Sequence, residues 1–119
     1  MKALVCTRPG TLEYTGMEKP RLSKGRSILK IRRIGICGTD LHAFEGTQPF
    51  FSYPRILGHE LSGELIEADA APGFEPGEAV SIIPYFNCGA CIACRAGKPN
   101  CCAHLQVCGV HVDGGMAEY

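Results

Sequence analysis

Residues Ile56–Ala68 read ILGHELSGELIEA. The second half, Leu61–Ala68, is one of five short apolar runs that read as strands. The others are Lys2–Thr7, Leu12–Tyr14, Ile28–Ile34 and Ala79–Ile83. They are rich in Ile, Leu and Val and bounded by turn residues: Pro9-Gly10, Lys24-Gly25, Pro72-Gly73 and Pro76-Gly77. Many short strands separated by Gly/Pro turns predict a β barrel or sandwich. No long segment carries helical periodicity. A short helix is expected over Gly38–Phe44, capped by Thr39 or Asp40, and a helical turn over Cys91–Ala96. There is no internal repeat and no low-complexity linker.

The chain has 119 residues, the size of one domain, with twelve basic and twelve acidic side chains. Zero net charge argues against a duplex nucleic-acid binder, which needs a basic stripe. The densest basic stretch, KGRSILKIRR (Lys24–Arg33), interleaves its cations with Ile28, Leu29 and Ile31 and reads as the solvated face of a strand. No apolar run approaches the ~20 residues of a membrane span. The N-terminal MKALVCTRPG lacks the apolar stretch of a signal peptide. A cytoplasmic location is expected. There, eight cysteines read as metal ligands or buried thiols before disulfides.

The first half of the opening stretch holds different chemistry. ILGHELSG (Ile56–Gly63) supplies His59 and Glu60, and GICGTDLH (Gly35–His42) supplies Cys37, Asp40 and His42. Both segments are Gly-flanked turns at predicted strand ends. A thiolate, an imidazole and nearby carboxylates form the mixed set typical of a catalytic zinc with an open position. A metal-bound histidine usually gives its other N–H to a carboxylate, and Asp40 is the candidate. Taken singly, Cys37 would read as a buried core thiol and His59 as an ordinary surface histidine.

A second cluster is denser. Cys88–Cys102 reads CGACIACRAGKPNCC, with five cysteines in fifteen residues. The two-residue spacing of Cys88, Cys91 and Cys94 brings three sulfurs within reach of one ion. A fourth thiolate would close a tetrahedral zinc site at ~2.3 Å per bond. Such a site is saturated and therefore structural. An iron–sulfur cluster also takes four cysteines. Spacing alone does not decide between Cys101 and Cys102 as the fourth ligand.

Together these segments resemble the N-terminal catalytic domain of the zinc-dependent medium-chain alcohol dehydrogenases. CGTDLH, LGHELSGE, PGEAV, CGACIAC…C and the terminal GGMAEY match family segments in order along the whole chain. The resemblance implies a mainly β fold, a GroES-like, partly open β-barrel over residues 1–119. A small zinc-binding cysteine lobe would occupy about residues 86–108. In the family a Rossmann domain binding NAD or NADP follows. No G-x-G-x-x-G occurs here, and GGMAEY reads as a turn entering a new strand, so the chain is expected to be a truncated form that is inactive alone.

The resemblance also assigns roles. Cys37 and His59 match ligands of the catalytic zinc, and Glu60 the acidic neighbour that sits beside the metal or transiently binds it. Asp40 matches the carboxylate orienting the histidine. Thr39 and His42 match a proton relay, and a further catalytic ligand of the family falls outside these residues. The family's structural-zinc pattern has seven residues between its third and fourth cysteines. It selects Cys88, Cys91, Cys94 and Cys102 and leaves Cys101 surplus. The implied activity is oxidation of a small alcohol by hydride transfer to NAD or NADP. CGTDLH and the VHVDGGMAEY ending (Val110–Tyr119) lie nearest the polyol, sugar-acid and threonine dehydrogenase branches. A small-molecule alcohol substrate, a homodimer or homotetramer, and no nucleic-acid or membrane partner follow from the same resemblance.

Two positions depart from the family pattern. Asp69 stands where Gly or Ala is usual, which predicts a modified turn. Glu78-Ala79 replaces an acidic-basic pair. Phe44, Phe50, Phe51 and Tyr53 read as packing residues before substrate-mouth residues. Cys6 and Cys108 read as packed thiols, and His104 and His111 as loop or surface residues. The rival functions are a non-enzymatic zinc-binding module that recruits a partner and a redox-sensing lobe with Cys101 as its reactive thiol.

Overall fold

In a computed structural model that describes residues 1–69 and 72–119, short strands dominate. In chain order they are β1 (Lys2–Arg8), β2 (Thr11–Gly16), β3 (Ser27–Gly35), β4 (Arg55–Ile56), β5 (Glu60–Ala68), β6 (Ala79–Ser81), β7 (Tyr85–Phe86) and β8 (Gln106–Val107). Helices are few: α1 (Gly38–Glu45), α2 (Ile92–Arg95) and a 3-10 turn at Pro99–Cys101. All pairings between these strands are antiparallel, in the orders β2-β1-β4, β3-β5-β6 and β7-β8.

The five predicted strands are all present, with shifted ends. Leu12–Tyr14 grows to Thr11–Gly16, because the hairpin about Pro9-Gly10 pairs β1 and β2 from Arg8↔Thr11 to Lys2↔Gly16. The run Ala79–Ile83 stops at Ser81. The two-residue strands β4, β7 and β8 were not foreseen, since two residues carry no periodicity. Along β5 the buried positions alternate at Leu61, Gly63 and Leu65, so one face is inside and the other outside. Gly63 belongs on the inner face because a Cβ there would lie 2.5 Å from the Lys30 carbonyl oxygen of β3.

The two three-stranded sheets do not close into a barrel. The C-terminal segment links them. Leu4 N donates to Met116 O (2.8 Å), Glu118 N to Lys2 O (3.0 Å) and Ile31 N to Glu118 O (3.0 Å). GGMAEY thus bridges β1 to β3 instead of opening a named strand of its own, with one isolated pairing at Ala3↔Ala117. Cys6, Ala43 and Leu57 form a core cluster, against which Phe44, Phe51, Tyr53 and Met116 pack. Phe50 does not pack there and is 76% exposed.

The expected change of turn at Asp69 takes a definite form. Among the described residues only glycines have positive φ, so Asp69 is not left-handed. Its carboxylate instead accepts from Gly25 N at 2.5 Å, tying the end of β5 to the turn before β3. Residues 70 and 71 lie outside the described residues. Among the described residues no helix is long and apolar enough to cross a membrane.

Candidate functional site

β3 ends at Gly35 and α1 begins at Gly38, so Cys37 falls at the junction. Cys37 is the N-cap of α1, in place of the expected Thr39 or Asp40. Its sulfur accepts from Thr39 N at 3.3 Å, and Asp40, three residues on, accepts from Cys37 N at 3.1 Å. This is the reciprocal capping-box arrangement, with a thiol in the usual hydroxyl position. The cap holds the Cys37 side chain at the helix N-terminus, where backbone N–H groups favour negative charge.

Asp40 is the buried charged side chain among the described residues, 4% exposed. One oxygen takes Cys37 N, and the other accepts from Gly58 N at 3.0 Å in a fully buried bond. The carboxylate therefore fastens the start of α1 to the loop between β4 and β5. Gly58 has φ +91°, a conformation other residues rarely adopt. That backbone turn delivers the next residue, His59, to Cys37: Nε2 lies 3.0 Å from the Cys37 sulfur. His59 Nδ1, on the other side of the ring, is buried without a hydrogen bond and sits 3.8 Å from Asp40 Oδ1.

Cys37, Asp40 and His59 thus present ligand atoms that all lie within 4.8 Å of one another. The donor set suits zinc. Ideal tetrahedral bonds would separate a thiolate sulfur and an imidazole nitrogen by about 3.6 Å, so the observed pair opens by roughly half an ångström to receive an ion. The orphaned Nδ1 facing a carboxylate is the arrangement found behind metal-bound histidines, here at a separation slightly longer than a hydrogen bond.

The other predicted residues are placed less tightly. Glu60 is exposed and outside this cluster; its side chain folds over Gly35, where an added Cβ would lie 2.9 Å from Glu60 Cβ. Thr39 and His42 stand three apart on α1 and so share a helix face. His42 is exposed and engages Thr47 Oγ1 (3.3 Å) and Glu45 (3.5 Å).

The cysteine lobe is built on a different logic. From Phe86 to Cys101 no residue is buried. A segment without a core needs some other crosslink. The sulfurs of Cys88, Cys91, Cys94 and Cys102 all lie within 4.8 Å of one another. Cys91–Cys94 and Cys88–Cys102 approach to 3.5 Å; a tetrahedral zinc with bonds of ~2.3 Å spaces its sulfurs by about 3.8 Å. Cys102 is buried and belongs to the cluster; Cys101 is exposed and does not. Cys102, and not Cys101, is thus the cysteine whose sulfur the fold brings to the other three. His104 gives only its backbone N–H, to Cys102 sulfur at 3.3 Å.

Backbone donors surround these sulfurs. N–H groups of Cys94 and Ala103 bring the Cys91 thiol down to about 6. Those of Ala90 and Cys91, with the Cys102 thiol, lower Cys88. Desolvation, then its hydrogen bond to Cys91, push Cys94 up to about 11. The backbone donors thus favour thiolate charge at Cys88 and Cys91, while Cys94 is held as a thiol.

Sequence reading missed the last contributor. Asp113–Met116 lies along the loop that carries His59: Gly114 N donates to Ile56 O (2.7 Å), Met116 N to Leu57 O (2.9 Å) and Gly115 N to Gly58 O (2.9 Å). The paired glycines 114 and 115 were the available sign of this close approach.

Residues 23–119 match the family model of the alcohol dehydrogenase GroES-like domain. L-galactonate-5-dehydrogenase of Escherichia coli K12 is 45% identical over 120 residues, covering all of this chain and 35% of that protein. The L-threonine 3-dehydrogenase of Pyrococcus horikoshii is 37% identical over 124 residues, covering all of this chain and 36% of the relative. Among solved structures, galactitol-1-phosphate dehydrogenase of Escherichia coli superposes with a TM-score of 0.89 at 31% identity, over 99% of this chain and 34% of that one. The rspB protein of Escherichia coli CFT073, solved with NADH, gives 0.87 at 39% identity, with the same coverage. The chain therefore spans about a third of the length of the relatives it matches.

Proposed function

We propose, from the premise that the chain belongs to the alcohol dehydrogenase GroES-like domain family, that it forms the catalytic domain of a zinc-dependent, NAD(P)-linked dehydrogenase. The substrate would be a secondary alcohol on a polyol, sugar acid or similar small molecule. The observation that carries this reading is the convergence of Cys37 sulfur and His59 Nε2 at 3.0 Å, with Asp40 behind the ring. The substrate class is supported by relatives acting on L-galactonate and galactitol-1-phosphate.

In this reading Cys37 and His59 hold the catalytic zinc. Bound there, zinc supplies Lewis acidity that lowers the pKa of an alcohol oxygen. Asp40 fixes the imidazole: its negative charge beside Nδ1 favours the tautomer with a proton on Nδ1 and a free lone pair on Nε2. The N-cap position holds the Cys37 sulfur against the first turn of α1, facing His59. Glu60, the acidic neighbour of His59 in sequence, lies outside the cluster over Gly35 and would have to swing from there to reach the metal. Thr39 and His42 would form the proton relay: the Thr39 hydroxyl would accept the alcohol proton as it gives up its own, which would pass through the cofactor ribose towards His42. Hydride chemistry belongs to the nicotinamide, which a separate dinucleotide-binding domain presents.

Cys88, Cys91, Cys94 and Cys102 hold a second zinc that is structural, since four thiolates leave no open position. It takes the place of a core in a segment that buries no residue between Phe86 and Cys101.

The test uses the complete dehydrogenase. Cys37→Ala and His59→Ala should each abolish alcohol-dependent reduction of NAD or NADP, while the cysteine-lobe zinc stays bound. Unchanged turnover in both variants would overturn the roles given to Cys37 and His59, and a complete parent protein with no turnover on any such alcohol would point instead to a non-enzymatic zinc module.

A further inference from the structure

The Asp113–Gly115 turn comes from the far side of the cysteine lobe, yet it touches the backbone that carries His59. Asp113 Oδ1 accepts from Ile56 N at 3.1 Å and from the Arg55 guanidinium at 3.3 Å. The next two residues donate to Ile56 O and Gly58 O. The fit is close: a Cβ on Gly114 would strike the Leu57 and Gly58 carbonyl groups, its three nearest atoms all within 2.6 Å. A Cβ on Gly109 would meet Gly58 backbone at 2.9 to 3.1 Å. Gly58 is thus held from both sides, its N–H by Asp40 and its carbonyl by Gly115. With both peptide groups of this positive-φ glycine fixed, the direction in which His59 leaves it is fixed too.

We infer that the Asp113–Gly115 turn is a positioning element for His59, setting the imidazole against Cys37 through the Ile56–Gly58 backbone. The inference rests on the proposed metal site for its purpose, but its geometry is independent of any ion. Asp113 acts by holding Ile56 N and Arg55; Gly114 acts by its lack of a side chain.

The test compares Asp113→Ala, Gly114→Ala and Asp113→Asn with the parent chain. With the lobe filled by zinc and no metal at Cys37, NMR reads the NOE between the His59 ring and the Cys37 β-protons. It should be present in the parent and in Asp113→Asn, whose side-chain oxygen still accepts from Ile56 N, and lost in the other two. With the lobe filled by zinc, cobalt(II) is then titrated and the Cys37-dependent thiolate band recorded. Asp113→Ala and Gly114→Ala should bind cobalt about tenfold more weakly, the size of effect expected from disturbed support of a ligand. Asp113→Asn should match the parent. Should Gly114→Ala fail to fold, Asp113→Ala decides, because its side chain is 56% exposed. Lowered thermal stability with an intact NOE would make the turn a mere brace and overturn the inference. A parent chain with no Cys37-dependent cobalt band would sink the proposed metal site, leaving the NOE to judge the turn.

Discussion

Replacing Asp40 is the sharpest single perturbation of the site. Asp40→Ala removes the acceptor of two backbone donors, Gly58 N at 3.0 Å and Cys37 N at 3.1 Å. The Gly58 bond is fully buried, so its N–H is left without water, at a cost of about 1–3 kcal/mol. The Cys37 bond is half-buried and its loss falls near the lower end of that range. Removing a negative charge from the first turn of α1 adds about 0.3–1 kcal/mol. Together these give roughly 2–5 kcal/mol, a large share of the ~5–15 kcal/mol that stabilises a domain. Asp40→Asn keeps one oxygen but turns an amide nitrogen toward the other donor, so it should lose roughly half as much. Urea unfolding followed by circular dichroism measures both. The same differences are expected after chelation, because the lost bonds join backbone to carboxylate. An Asp40→Ala chain within about 0.5 kcal/mol of the parent, the spread of an ordinary surface change, would refute the view that this carboxylate fastens α1 to the His59 loop.

Other expectations follow from the same geometry. Cys102→Ser should lose tightly bound zinc and protease resistance in the lobe, while Cys101→Ser keeps both; elemental analysis after gel filtration separates them, and equal zinc in the two variants would contradict the ligand assignment. Leu57→Ala, at a side chain 2% exposed in the core cluster, should cost about 2–5 kcal/mol in urea unfolding. Burial raises the thiols of Cys6 and Cys108 above 9.0, with the Asp113 charge adding to the second. Groups raised on folding give their full stability below the unfolded value and lose it as pH climbs through the folded one. Stability should therefore fall above pH 9, and replacing both by Ala should flatten that limb of the pH profile. At pH 8, iodoacetamide should label Cys101 ahead of either, as peptide mapping would record.

The strands of this fold were legible wherever a run of Ile, Leu and Val met a Gly/Pro turn, as in Leu61–Ala68. What escaped was set by contacts distant in sequence. The two-residue strands exist only because a partner lies alongside, as Val5 and Cys6 do for β4. Cys37 was read for its sulfur chemistry and not as a cap, because capping preferences favour oxygen side chains. Asp40 was expected to serve His59 and does face it, but its two hydrogen bonds go to backbone donors, one of them eighteen residues away. The choice of Cys102 over Cys101 needed a family pattern at first. In the fold the 3-10 turn Pro99–Cys101 leaves Cys101 exposed and brings Cys102 to the other three sulfurs. Gly114 and Gly115 were visible as a pair, but only the backbone of Leu57 and Gly58 shows why no side chain fits there.

The central claim is a division of labour between a saturated four-sulfur site and a mixed site at Cys37 and His59. Zinc-edge X-ray absorption on the chain loaded with one equivalent of zinc tests it most directly. The account predicts a shell of four sulfurs at about 2.3 Å with no light-atom neighbour, unchanged in Cys37→Ala. A first equivalent bound by mixed sulfur and nitrogen, and altered by Cys37→Ala, would contradict it.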